Sequence, residues 1–181
     1  MKKTLLFSLA FTLSACQTFK ADLQTSASCA TLNTSTAEAK AEQFTCYKTV
    51  AEQGNMEGQY NLGAMYFDGK GVEQNYTLAK EWYKKAAEQG SAKAQTSLGF
   101  MCAAGKGAPQ NLTQARQWFQ KAAEQNDTQA QHNLGVIYEK GIGIPQDYTL
   151  AKQWYQKAAE QGNAESKYSL ELMYNNGFIK R

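Results

Sequence analysis

The sequence predicts an all-α solenoid of stacked antiparallel helix pairs, and three observations predict it. Shifting the 181-residue chain by 36 lays it on itself without a gap, so that Leu62, Leu98, Leu134 and Leu170 align, as do Trp82, Trp118 and Trp154. Glycines return in the same register, as Gly69, Gly105, Gly141 and Gly177 and as Gly71, Gly107 and Gly143. Between the glycines, apolar residues recur at spacings of three and four, the mark of amphipathic helices. A fixed period in this range belongs to a solenoid or array, because a two-helix unit cannot bury its apolar face except against copies of itself.

The first segment reads differently. Met1-Lys2-Lys3 is a positive start, and Thr4 to Leu13 is an apolar run too short to cross a bilayer of ~30 Å. Small residues follow, so residues 1–15 are expected to be a secretory signal peptide. Leu13-Ser14-Ala15-Cys16 resembles the bacterial lipobox. That resemblance implies cleavage before Cys16 and several acyl chains on it, enough for stable membrane anchoring. Gln17, where an inner-membrane lipoprotein would carry aspartate, points to the outer membrane. The competing reading is plain secretion after Ala15. Residues 16–37, rich in Ser, Thr, Ala and Gln, are expected to be the lipidated cysteine and a tether.

The solenoid is then expected over 38–181: a degenerate N-terminal cap to 53, repeats at 54–89, 90–125 and 126–161, and a half repeat at 162–181. In each repeat the first helix covers roughly Met56 to Phe67, with Gln59, Leu62 and Tyr66 as one buried stripe. Gly69 and its equivalents end it, since glycine accepts the left-handed conformation. Asn75, Asn111 and Asp147, or Thr77, Thr113 and Thr149 two residues later, cap the second helix. The apolar positions of that helix are Leu78, Ala79, Trp82, Tyr83, Ala86 and Ala87, with Trp82 and its equivalents read as the large fill of each layer. Gly63, Gly99 and Gly135 recur inside the first helix. Each costs about 1 kcal/mol of helix propensity, so their return calls for a packing reason.

At these residues the chain resembles the Sel-one-like repeat family, relatives of the tetratricopeptide repeats. The pattern A-x-x-x-L-G-x-x-Y-x-x-G-x-G-V…A-x-x-W-Y-x-K-A-A-E-x-G runs from Gly58 to Gly90, Ala94 to Asn126 and Ala130 to Gly162. Departures fall at Gly58, Cys102 and Glu171, where the family favours alanine, tyrosine and glycine. The resemblance implies a right-handed superhelix of antiparallel helix pairs and an inner, ligand-facing side on the first helices. Some cysteine-rich relatives are described as penicillin-binding or weakly β-lactamase-like. This chain lacks their cysteine pair in every repeat and also lacks S-x-x-K, S-D-N and K-T-G.

Composition excludes several functions. The net charge is +3, and without Lys2 and Lys3 there are 17 basic against 16 acidic side chains, which argues against a nucleic-acid partner. No C-x-x-C is present and His132 is the single histidine, so no metal or cofactor is expected. In an oxidising envelope Cys29 and Cys46 face each other across the degenerate cap and are expected to form a disulfide, while Cys102 is expected to be a buried free thiol. No catalytic residue is expected.

What remains is a binding surface. Opposite the buried stripe, the first helices carry Glu57, Tyr60, Phe67 and Asp68, then Lys93, Thr96 and Phe100, then Gln129, His132, Val136, Glu139 and Lys140. These positions vary between units while the core letters repeat. They are expected to line a groove for a peptide segment or helix of another protein; for the apolar Tyr60, Phe67, Phe100 and Val136 the alternative is packing against adjacent layers. The expected function is a lipid-anchored envelope adaptor mediating protein–protein interaction. Its alternatives are a cell-wall, peptidoglycan-associated binding protein and a weak β-lactamase-like protein.

Overall fold

The computed structural model of the chain describes residues 25–32 and 34–180. The expected signal peptide and Cys16 lie outside the described residues. The chain forms two compact units, Met1–Gln74 and Asn75–Arg181. All elements among the described residues are helices packed in adjacent pairs, as the solenoid class requires. No described helix is long and apolar enough to cross a membrane.

In the first unit, α1 (Ser26–Ala30), α2 (Ala37–Glu52) and α3 (Met56–Asp68) follow one another. The short α1 lies inside the stretch expected to be tether. It is held there because Cys29 is fully buried and bonded to Cys46, with Cα atoms 5.7 Å apart. Ordered structure therefore starts ahead of residue 38, and the disulfide expected from the cysteines is present.

The family's alanine is replaced at Gly58 for a visible reason. A Cβ there would sit 2.7 Å from Cγ1 of the fully buried Val50. The equivalents of Val50 are Ala86 and Ala122, and those of Gly58 are Ala94 and Ala130, all fully buried. The degenerate repeat thus exchanges one alanine–alanine contact for a valine–glycine contact of similar total volume. Cores tolerate swaps that conserve volume.

The second unit contains α4 (Tyr76–Glu88), α5 (Ala92–Ala104), α6 (Leu112–Glu124), α7 (Thr128–Lys140), α8 (Tyr148–Glu160) and α9 (Ala164–Asn175). The open choice of cap resolves to the first candidate: Asn75, Asn111 and Asp147 accept from the backbone N–H three residues on. First helices start the same way, on Ser91, Asp127 and Asn163. α5 and α7 end on left-handed glycines, Gly105 at φ 66° and Gly141 at φ 65°, whereas α9 ends on Asn176 in the right-handed conformation.

Two expectations about the core are corrected. Trp82, Trp118 and Trp154 are only partly buried, and the next residue, Tyr83, Phe119 or Tyr155, fills the layer. Each tryptophan instead lies under the ammonium of the lysine three residues on: Lys85 at 3.7 Å from the Trp82 ring centroid, Lys121 at 4.7 Å from Trp118, Lys157 at 4.2 Å from Trp154. Tyr66 is likewise half-buried, edge-on to Phe44 at 5.4 Å, while Met65 and its equivalents Met101, Ile137 and Met173 are buried.

The glycine column finds its packing reason here. A Cβ on Gly99 would lie 2.6 Å from Cε1 of Phe119, and one on Gly135 would lie 2.5 Å from Cδ1 of Tyr155. In these two repeats the aromatic ring of the second helix rests directly on the backbone of the first.

Buried glutamines tie the layers together. Gln59, Gln95 and Gln131 donate to the carbonyls of Ala51, Ala87 and Ala123 at 3.3, 3.2 and 3.3 Å. Gln125 and Gln161, the glutamines of the recurring A-A-E-Q phrase, donate to the side-chain oxygens of Gln95 and Gln131 at 2.8 and 2.7 Å. Both ends of the buried Gln95 and Gln131 amides are therefore satisfied.

The valine–glycine exchange gives a test. Gly58→Ala is expected to destabilise the protein by roughly 1–3 kcal/mol despite its better helix propensity. In a denaturant-unfolding double-mutant cycle, Val50→Ala together with Gly58→Ala should cost about 1 kcal/mol less than the sum of the single changes.

Candidate partner-binding face

The face expected on the first helices is best built row by row. In the first unit, Glu57 accepts a hydrogen bond from the Ser26 hydroxyl, and Asp68 pairs with Lys70 at 2.7 Å. Tyr60 and Phe67 are half-buried.

In the second unit the expected residues separate into two groups. Lys93, Gln129 and Lys140 are exposed, and Phe100 is 51% exposed. The Lys106 ammonium lies 5.7 Å from the Phe100 ring and 4.9 Å from that of Tyr76. Lys93, Phe100, Gln129 and Lys140 thus face solvent.

The other group joins layers. Thr96 donates to Asp127 at 3.0 Å, and Asp127 is the cap of α7. Val136 packs on the cluster of Ala151, Tyr155, Leu170 and Met173. Glu139 accepts from the Tyr155 hydroxyl at 2.6 Å. His132 shares a 2.8 Å hydrogen bond between Nδ1 and Ser166 Oγ, its Nε2 lies 3.4 Å from Glu165, and its ring leans on Tyr155. Its side chain is only 12% exposed. Thr96, His132, Val136 and Glu139 thus each engage a neighbouring helix.

A serine, a histidine and a carboxylate in one line invite an acyl-transfer reading. Ser166, however, is fully buried in the first turn of α9, so no substrate carbonyl can reach its Oγ. The cluster instead fastens α9 to α7 and α8. Burial holds the His132 ring below its ordinary pKa, with Glu165 and Glu139 opposing that shift. Burial also pushes the Tyr155 hydroxyl well above its ordinary range, and the hydrogen bond to Glu139 adds to this. A neutral His132 fits the geometry: the Ser166 hydroxyl donates to Nδ1 while Nε2–H faces Glu165.

Cys102 is buried and unbonded, as expected, and its thiol faces the Gln114 side-chain oxygen at 3.1 Å. Burial raises its pKa, against the opposing charge of Lys80. Two shallow depressions sit away from the first-helix face, beside Trp118 and Lys121 and beside Trp154 and Lys157. Among the described residues no group of three or more His, Cys, Asp and Glu side chains is gathered to hold a metal ion.

Sequence reasoning missed two residues on this side, Tyr168 and Leu172 on α9, which are 62% and 40% exposed. The period carries the signal: they occupy the columns of His132 and Val136.

Because the fold holds His132 neutral, the unfolded chain binds its proton first. The stabilisation is present in full above the unfolded value near pH ~6.5 and is lost as pH falls from there toward the lowered folded value. Urea midpoints should drop for the wild type between about pH 7.5 and pH 5.5, and His132→Asn should flatten most of that drop.

The chain matches the family described as Sel1 repeat over residues 57–91, 92–127 and 128–163, more than half its length. These repeats begin and end two or three residues beyond the boundaries read from the period. A solved Sel1 repeat protein from Oxalobacter formigenes is 40% identical with a TM-score of 0.72, covering 78% of this chain and 56% of that one. The c5321 protein, a protective antigen of uropathogenic Escherichia coli with an SLR fold, is 38% identical with a TM-score of 0.73, covering 77% of this chain and 30% of that one. The immunity protein Pa5087 from Pseudomonas aeruginosa, 24% identical with a TM-score of 0.59 over 86% of this chain and 58% of its own, shares the fold. No curated protein matches the chain. This chain thus spans about half of the first of these structures and under a third of the second, and it belongs to the Sel1 repeat family.

Proposed function

We propose that the protein is a protein-interaction scaffold of the bacterial envelope, held by a lipid on Cys16 and recruiting a partner protein through its first-helix face. Sel1 repeat proteins generally act as interaction scaffolds, and a rigid helical repeat offers an extended surface for that work. The observation that carries the reading is Phe100. A large aromatic is 51% exposed on a first helix, with the Lys106 ammonium 5.7 Å from its ring. Exposed aromatic residues with neighbouring charge are the usual anchors of protein interfaces. Lys93 on the same helix and Gln129 and Lys140 on α7 are exposed polar side chains of the first helices. The membrane part of the proposal rests on the positive, apolar and small-residue sequence that ends in Cys16.

Crosslinking and affinity capture from intact cells tests it. The comparison is between wild type and a variant with Lys93, Phe100, Gln129 and Lys140 changed to alanine. These side chains are exposed, so the variant is expected to fold normally and to lose at least about tenfold of the captured partner. Equal capture by the folded variant removes the face from the account. Recovery of cell-wall fragments alone turns the reading toward the peptidoglycan-associated alternative.

A further inference from the structure

The end of the second unit presents a helix face whose chemistry matches itself. Helix α9 buries Ser166, Leu170 and Met173 against the preceding layer. On its other side Tyr168 and Leu172, one turn apart, are 62% and 40% exposed. Their counterparts in α7, His132 and Val136, are packed against Tyr155. Lys167 and Glu171, exposed and again one turn apart, share one flank of this stripe, and neither is ion-paired among the described residues.

Glu171 also decides what cannot cover the face. In α5 and α7 its position is the glycine on which the ring of the following helix rests, where even a Cβ would come within 2.6 Å or 2.5 Å of ring carbons. A glutamate there excludes a further helix packed in the repeat's own manner.

We propose that α9 is a self-docking face, through which two copies of this chain associate by antiparallel pairing of their α9 helices. A two-fold axis near residue 170 sets Tyr168 of one copy on Leu172 of the second, and the reverse. In antiparallel helix pairs the same flank meets the same flank, so the same axis sets Lys167 against Glu171 of the second copy, twice. The arrangement is isologous and closes on itself. A 12-residue helix is only ~18 Å long. The interface is therefore small, below about 1,200 Å² in total, and the association is weak and concentration-dependent.

Sedimentation equilibrium of the full chain in density-matched detergent, from micromolar to submillimolar concentration, tests this. A monomer–dimer equilibrium is expected. Lys167→Glu and Glu171→Lys each put like charges together and should weaken it by about tenfold. The double variant K167E/E171K should recover to within about threefold of wild type, because the pairs are restored with reversed sign. Leu172→Asp should leave monomer only. A chain that stays monomeric throughout, or a dimer that ignores the single charge reversals, overturns the proposal. So does failure of the double reversal to rescue when thermal unfolding shows all four variants folded.

Discussion

A ring lying on a helix backbone sets the geometry of the second unit. Phe119 and Tyr155 sit where a Cβ on Gly99 or Gly135 would have to be. The close approach brings the small residues Ala115, Ala122 and Ala123, or Ala151 and Ala158, into the same buried layer, all almost without exposed surface. Dispersion and apolar burial are collected over many short contacts rather than a few large ones. The glycine weakens its own helix, and the pair of helices is stabilised in exchange.

Close layers create a polar problem that the glutamines solve. Helices that end inside a stack leave their last carbonyls without intrahelical partners. The Ala87 and Ala123 carbonyls accept from the backbone N–H of Gly90 and Asn126, the buried amides of Gln95 and Gln131 add a second bond to each, and Gln125 and Gln161 complete those amides from the far side. Leaving such buried groups unpaired costs about 1–3 kcal/mol each. The same economy appears at the end of the unit, where the hydroxyl of the buried Ser166 is taken up by His132.

Much of this was legible in the letters. The period gave the helices, the turns and the facing cysteines and narrowed the cap to two columns, because each depends on local backbone chemistry or on strict repetition. What failed was the choice between neighbours on a helix. Trp82 and Tyr83 are both aromatic and only about 100° apart, so composition alone does not say which points inward. The distinguishing signal lies one turn on: Tyr83 is followed at i+3 and i+4 by Ala86 and Ala87, whereas Trp82 is followed at i+3 by Lys85. Four positions of the expected face also make contacts between helices, and the sequence hid them for a related reason. Variation between units marks a free surface, but it also marks side chains that change together. His132 meets Ser166, which stands where other units carry Gly58, Ala94 and Ala130. Val50 meets Gly58 in the same way. Such paired exchanges look like drift until the contact between them is known.

The proposed partner face and self-docking face both presuppose a second unit whose layers hold one fixed spacing. The most direct test of that spacing is the unfolding free energy of Gly135→Ala. Intrinsic propensity favours alanine in a helix by about 1 kcal/mol, so an unconstrained site would be stabilised. With the Tyr155 ring where it lies, the added methyl should instead cost roughly 1–3 kcal/mol. A variant more stable than the wild type would contradict the account at its root.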